Sequence, residues 1–257
     1  VSAAADVPRV WVVASHRELG NEHGHPQCYT VMDEAGTRTL LNLGLQPVCY
    51  PWAPLERLAA LLETVDGLLL GGSATNVHPR HYGEEPASDE FVYEADRDAV
   101  ALPLIRLAIE HRVPLFSVCR GCHEFNVAMG GSLYQSLPAL EGPVRHWEDP
   151  DEALDAQYAE RHEVECAPGG ELQRITGERR FRASSLHSQG VKRLGEGLVA
   201  EARADDGLVE AFRWKDASLF AWGFQFHPEW DHRRHPCYHR IMATYVAACA
   251  AKKAQRG

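Results

Sequence analysis

Val113-Pro114-Leu115-Phe116-Ser117-Val118-Cys119-Arg120-Gly121-Cys122 passes from an apolar run into a turn, and Glu124 to Met129 continues it as a helix-forming stretch. The run Arg112–Val118 predicts a strand, with Val113, Leu115, Phe116 and Val118 apolar. The same alternation recurs upstream. Strands are predicted at Arg9–Ala14, Gln46–Tyr50 and Gly67–Leu70, and helices at Tyr29–Leu43, Pro54–Val65 and Arg97–His111. Pro103 is expected to kink the last of these or mark its start. Short, nearly continuous apolar strands between helices indicate an α/β fold with a mostly parallel sheet covered on both faces.

Downstream of Gly131 the pattern changes. Residues 143–170 are polar and read as a lid or excursion within one domain spanning residues 1–257. Glu171–Ser185 reads as irregular or β-rich. Val199–Arg203 and Leu208–Trp214 read as strands flanking the turn Asp205-Asp206-Gly207, and Leu219–Phe226 as another strand. A last helix is predicted from Pro236 to Lys253. The stretch around Gly20, Gly24 and Pro26 reads as a polar loop, and Pro79–Glu90 as a turn-rich one.

The 257 residues carry a net charge of -10, which argues against nonspecific binding to nucleic acid or to an anionic membrane surface. No apolar run is long enough to span a bilayer, and Val1–Pro8 lacks the basic region of a signal peptide, so a cytoplasmic location is expected. Seven cysteines with irregular spacing do not form a disulfide framework, and the one CxxC pair has no second pair to complete a zinc knuckle.

Cys119 stands where a strand becomes a helix. A sharp turn there lifts the side chain above the sheet edge and brings the helix dipole and free N–H groups beside the sulfur. Gly121 permits a close approach after the turn. This is the layout of a nucleophile elbow. Cys119 alone fits a buried thiol equally, and Cys122 is a competitor or the second half of a redox dithiol. Cys122 lies a helical turn further on, facing the packed side.

A cysteine nucleophile needs a histidine base. Of fourteen histidines, His227 is delivered by the strand Phe224-Gln225-Phe226 and stopped by Pro228. Glu229, two residues on, shares its direction in an extended segment and is placed to orient the ring. His-x-Glu spacing by itself describes a surface pair as well. Gly71-Gly72-Ser73 ends another strand, where backbone N–H groups, with that of Arg120, form a candidate oxyanion hole or simply a tight turn. All three features fall at carboxyl ends of strands, where open α/β sheets bind ligands.

Taken together, Leu68-Leu69-Leu70-Gly71-Gly72-Ser73, Cys119-Arg120-Gly121 with Glu124 to Leu133, and Phe224-Gln225-Phe226-His227-Pro228-Glu229 resemble the class I glutamine amidotransferase-like hydrolases, the peptidase C26 family. The resemblance implies a flavodoxin-like sandwich and covers most of the chain. Asn76 and Pro79, Asn126 to Gly131, and Ser185-Leu186-His187-Ser188-Gln189-Gly190 resemble most closely the γ-glutamyl-γ-aminobutyrate hydrolase branch, which acts in putrescine breakdown. It implies that Cys119 attacks the γ-glutamyl carbonyl to form a thioester, that His227 protonates the leaving amine and then activates water, and that Glu229 orients His227. Gly71, Gly72 and Arg120 would supply the oxyanion hole. Asn76, Arg120, His123, His187 and Gln189 are the candidate substrate contacts.

The chain departs from the branch at Ser117, where glycine is usual, and at Cys122 and His123, where a larger apolar residue and glutamine stand. His123 is therefore a candidate for altered glutamate-side recognition. Arg120 reads either as a carboxylate partner or as a salt bridge bracing the elbow. The acidic run Glu84-Glu85, Asp89-Glu90, Glu94, Asp96 and Asp98 reads as a solvated face or as an attraction for a cationic amine. No cofactor, metal or synthase partner is expected; self-association stays open. Competing readings are a hydrolase of γ-glutamyl-putrescine or another γ-glutamylated polyamine, a glutaminase feeding a synthase, and a non-catalytic or metal-binding module around His227, His232, His235, Cys237 and His239.

Overall fold

β1 (Arg9–Val13) shows why the first half folds as it does. After Arg9 every residue is buried, with Trp11 and Val13 in one core cluster and Val10 and Val12 in the other. Successive side chains of a strand point to opposite faces, so a strand apolar throughout needs cover on both. The computed structural model describes residues 7–51, 53–140 and 144–256.

After β1 come β2 (Ser15–Gly20), β3 (Pro26–Val31), α1 (Glu34–Asn42), β4 (Gln46–Val48), α2 (Leu58–Leu62), β5 (Gly67–Leu70), α3 (Ala95–Glu110), β6 (Leu115–Val118) and α4 (Arg120–Ala128). The rest is β7 (Ser132–Tyr134), α5 (Leu154–Gln157), β8 (Glu160–Cys166), α6 (Glu171–Thr176), β9 (Arg180–Ser184), β10 (Gly190–Arg193), β11 (Leu198–Ala204), β12 (Val209–Trp214), β13 (Ala221–Phe224) and α7 (Pro236–Arg256). Nine strands form the central sheet in the order β4-β1-β5-β6-β13-β12-β11-β8-β9. From β4 to β13 neighbours are parallel, and from β13 to β9 antiparallel. Leu40 of α1 and Ile241 and Tyr245 of α7 pack on one face; Leu58 of α2, Ile105 of α3 and Phe125 of α4 pack on the other. The expected α/β architecture, a mostly parallel sheet between helices, is the one observed.

Four segments differ from expectation. The polar stretch around Gly20 and Gly24 is a hairpin, β2 paired antiparallel with β3 from Ser15–Val31 to Gly20–Pro26. The helix expected from Tyr29 starts instead at Glu34, because Asp33 caps it by accepting from Ala35 N (3.0 Å) and Gly36 N (3.1 Å). Within the polar stretch 143–170, Pro143 lies outside the described residues, and Glu160–Cys166 is β8, a sheet strand paired to both β11 and β9. Its buried positions alternate at His162, Val164 and Cys166, as in a strand with one solvated face. Glu171–Ser185 splits into α6 and β9.

β5, β6 and β13 are consecutive, parallel neighbours in the sheet. Gly71-Gly72, Cys119 and His227 follow their carboxyl ends, so the topology brings the three motifs to one edge.

Candidate active site

Cys119 has φ 51° and ψ −112°, one of three described non-glycine residues with positive φ. Such a conformation is sparsely populated and persists only when its surroundings enforce it. A hydrogen bond and the helix that follows do so here. Cys119 N–H donates to Phe224 O of β13 (2.8 Å), and α4 begins at the next residue. Gly121 makes the turn feasible: a Cβ there would stand 2.2 Å from Leu70 O of β5, well inside contact. Arg120 and Gly121 lie in the first turn of α4, whose N–H groups have no acceptor within the helix.

His227 Nδ1 is 2.7 Å from Glu229 Oε1, which leaves Nε2 for the thiol. Burial works against a charged ring, but the Glu229 carboxylate and the Cys119 thiol outweigh it and raise His227 to about 10. The His227 backbone N–H donates to Ser184 Oγ (3.2 Å), and Tyr158 lies edge-on to the ring with centroids 5.0 Å apart. Gly72 faces both groups. A Cβ there would meet His227 Cε1 at 3.0 Å and Cys119 Sγ at 3.8 Å, so glycine keeps the space between nucleophile and base open.

Cys122 takes no part in this arrangement. It is buried in the core cluster under α4, 3.7 Å from Gln225 Oε1, and burial pushes its thiol well above the usual range. A neutral, packed thiol is a poor nucleophile.

Beneath the elbow lies a buried ionic lattice. Arg120 donates to Asp98 Oδ1 (2.7 Å), to Glu124 and to Asn76 O (3.2 Å). Arg97 meets both oxygens of Glu124 (2.8 and 3.0 Å), and its Nη2 also donates to Gly71 O (2.6 Å). The Arg120 guanidinium is thus committed to bracing the elbow, the salt-bridge alternative. Glu94 and Asp98 of the acidic run are likewise buried and bonded, so they form no solvated face.

Cys119 lies at the junction of two hollows. One holds Gly72, Met32, Leu154, Tyr158, His227 and Glu229. The other holds Asn76, His123, Trp147, His187 and Gln189. Of the candidate contacts in the second, Gln189 uses its side-chain amide on Val77 N–H (3.0 Å). His123 Nε2 is 2.7 Å from Gln225 Oε1, and burial lowers this ring to about 4, so it is neutral at pH 7. Tyr158, Trp147 and Glu148 were not identified from the sequence; they sit in a polar stretch without a motif. The cluster His227 to His239 does not converge on an ion: His227 is turned to Glu229, and His235 Nδ1 to Glu160 (2.9 Å).

The peptidase C26 family pattern matches residues 9–229. The chain belongs to the peptidase C26 family. It is therefore an enzyme of the hydrolase and amidotransferase type. Two γ-glutamyl-γ-aminobutyrate hydrolases are similar to it: one from Escherichia coli O157:H7 (38% identity, 85% of this chain, 86% of the relative) and one from strain K12 (37%, with the same coverage). Among solved structures, the glutaminase domain of Trypanosoma brucei CTPS, with bound acivicin, superposes with a TM-score of 0.56 at 15% identity, covering 95% of this chain and 94% of that one. That likeness carries the fold, the class I glutamine amidotransferase-like sandwich. Among the described residues no helix is long and apolar enough to cross a membrane.

Proposed function

We propose that this enzyme hydrolyses the γ-glutamyl amide bond of γ-glutamyl-γ-aminobutyrate, releasing glutamate and γ-aminobutyrate. The observation that carries the reading is the convergence of Cys119, His227 and Glu229 at the junction of two hollows, since an amide-cleaving site needs one space for the acyl group and one for the amine. The similarity to hydrolases of this substrate supplies the substrate class.

In this mechanism Cys119 Sγ attacks the γ-carbonyl carbon. The resulting oxyanion takes hydrogen bonds from the backbone N–H groups of Gly72 and Arg120. His227, charged through Glu229, gives its proton to the amide nitrogen as the C–N bond breaks, leaving a thioester. The neutral ring then removes a proton from water, which attacks the thioester and frees glutamate. The γ-glutamyl group occupies the hollow of Asn76, His123, His187 and Gln189, and the amine leaves through the hollow of Met32, Leu154 and Tyr158.

One observation favours a second substrate. Glu148 lines both hollows and is half-buried, so a cationic amine such as the putrescine of γ-glutamyl-putrescine would have a counter-ion. Product analysis separates the readings: γ-glutamyl-γ-aminobutyrate, γ-glutamyl-putrescine and glutamine are compared, with Cys119→Ala as control. Glutamate release from the first substrate in preference to the others, lost in the variant, is the expected result. Preference for γ-glutamyl-putrescine, reduced by Glu148→Gln, would move the substrate to polyamine conjugates. Turnover of none of the three would refute the substrate class.

A further inference from the structure

Four side chains from four separate segments meet at a second buried point, behind the wall of the cleft. His146 comes from the loop between β7 and α5, His162 from β8, His187 from the loop between β9 and β10, and Glu210 from β12. Glu210 is 0% exposed and none of the histidines exceeds 8%. Glu210 Oε1 lies 3.5 Å from His146 Nδ1, 3.7 Å from His162 Nε2 and 3.9 Å from His187 Nε2. These separations are too long for hydrogen bonds. Both Glu210 oxygens and His162 Nε2 are without a hydrogen-bond partner among the described residues.

The proton positions follow from the outer contacts. His146 Nε2 faces Asp206 Oδ2 (2.8 Å), His162 Nδ1 faces Glu163 O (3.1 Å) and His187 Nδ1 faces Gln189 O (2.8 Å). Each of those oxygens is an acceptor and requires the ring N–H on that side. The opposite nitrogen of each neutral ring is then a lone pair, and all three lone pairs point towards Glu210. The Ser185 hydroxyl lies 2.9 Å from His146 O, 3.2 Å from His187 Nε2 and 3.5 Å from His146 Nδ1, and has one hydrogen to share among them. The His162 lone pair and both Glu210 oxygens therefore face one another without a hydrogen-bond partner among the described residues, and burial raises Glu210 well above the usual carboxyl range. Such an arrangement is unfavourable unless a proton on Glu210 or a cation at its centre relieves it.

We propose that His146, His162 and Glu210 form a structural site for a divalent metal ion of the zinc class, with His187 beside it. Nitrogen and carboxylate donors select zinc-like ions over magnesium or calcium. Arms of about 2.0–2.1 Å in a tetrahedron give ligand–ligand edges of about 3.4 Å, close to the 3.5 and 3.7 Å from Glu210 to His146 and His162. The ligand atoms of His146, His162 and Glu210 all lie within 4.8 Å of one another. The outer contacts to Asp206 and two backbone carbonyls are the kind that fix metal-bound imidazoles in place. The three ligands are buried behind the cleft wall, away from Cys119, which marks the site as structural.

Its effect on catalysis is through position. A metal on His146 would fix its loop to β8 and β12, and His187 N–H, which donates to His146 O (2.9 Å), ties the second loop to the first. Those loops carry Trp147, Glu148 and Leu186, which wall the cleft over Cys119.

The test is elemental analysis of the chain purified without chelator, alongside Cys119→Ala, which removes the active-site thiol beside His227 as an adventitious metal holder. About one zinc per chain is expected in both proteins. Stripping with a chelator should lower Tm by several degrees, and zinc should restore it. Cobalt(II) loaded into the stripped protein should give the visible bands of a four-coordinate nitrogen–oxygen site without thiolate charge transfer. Glu210→Gln and His162→Gln should abolish them, and His239→Gln should not. Circular dichroism distinguishes loss of metal from loss of fold. Metal below about a tenth of an equivalent in a folded protein that develops no cobalt bands would overturn the proposal. So would unchanged metal content in folded Glu210→Gln, or bands that vanish in Cys119→Ala. None of these readouts depends on the substrate assigned above.

Discussion

Replacing Glu229 by Gln preserves the shape beside His227 and removes the charge. In the protein, burial disfavours the charged ring, and Glu229 and Cys119 together hold it at about 10 against an ordinary 6.5. That interval corresponds to roughly 5 kcal/mol in favour of imidazolium. Without the carboxylate, burial dominates and the ring should titrate below neutral. At pH 7 the variant would lack the proton for the leaving amine, and turnover should fall about 10²–10⁴-fold. Stability should respond as well. The folded value of His227 lies above the unfolded one, so its contribution is complete below pH 6.5 and is lost as pH rises through about 10. The difference in unfolding free energy between the enzyme and Glu229→Gln should therefore narrow across that window. NMR titration of His227 Cε1–H, the pH dependence of Cys119 alkylation, and glutamate release form the assay. If His227 in the variant titrates within about one pH unit of the parent, or turnover drops less than about threefold, the assignment of Glu229 as the charge behind His227 is refuted.

Gly121→Ala should cost about 3 kcal/mol or more, or abolish folding, because its Cβ would meet a backbone oxygen that cannot swing away; urea unfolding measures it. Gly72→Ala should lower kcat with little change in Tm, since the added methyl reaches His227 Cε1 and Cys119 Sγ rather than the core. Cys122→Ala should keep turnover within about twofold and cost about 1 kcal/mol, the loss of a small buried group. Glu124→Gln removes the charge shared by Arg97 and Arg120 and should destabilise by about 3–5 kcal/mol in chemical unfolding.

The parallel half of the fold was legible because its signals are local. Gly67–Leu70 is a strand at the bounds the sequence indicated, since its continuous apolar run has no place except between two helical layers. The hairpin Ser15–Val31 was not legible: its strands are largely exposed, so pairing rather than burial makes them strands, and pairing leaves no apolar alternation to read. β8 is the opposite case. Val164 and Cys166 do alternate with Glu163 and Glu165, but the acidic residues dominate the composition of that stretch, and they are accommodated by Arg179, Arg180 and Arg182 on or beside the neighbouring strand β9.

The same distinction separates the two functional clusters. Gly72, Cys119 and His227 each announce themselves within a few residues, because each ends a parallel strand and the carboxyl edge of such a sheet is one place. The sheet order β5-β6-β13 then makes neighbours of motifs far apart in the chain. His146, His162, His187 and Glu210 have no such common address. Two lie on antiparallel strands and two on loops, and their convergence depends on the register of β8, β11 and β12, which is set by pairing across the sheet. Glu163 illustrates the consequence: its neighbour His162 is buried because strand side chains alternate, while Glu163 faces Arg180 and Arg182 outside. A one-residue slip of β8 would exchange the two, placing a carboxylate beside Glu210 and a histidine in solvent. The lone pairs facing Glu210 are thus a property of strand register, and no spacing rule along the chain can anticipate them.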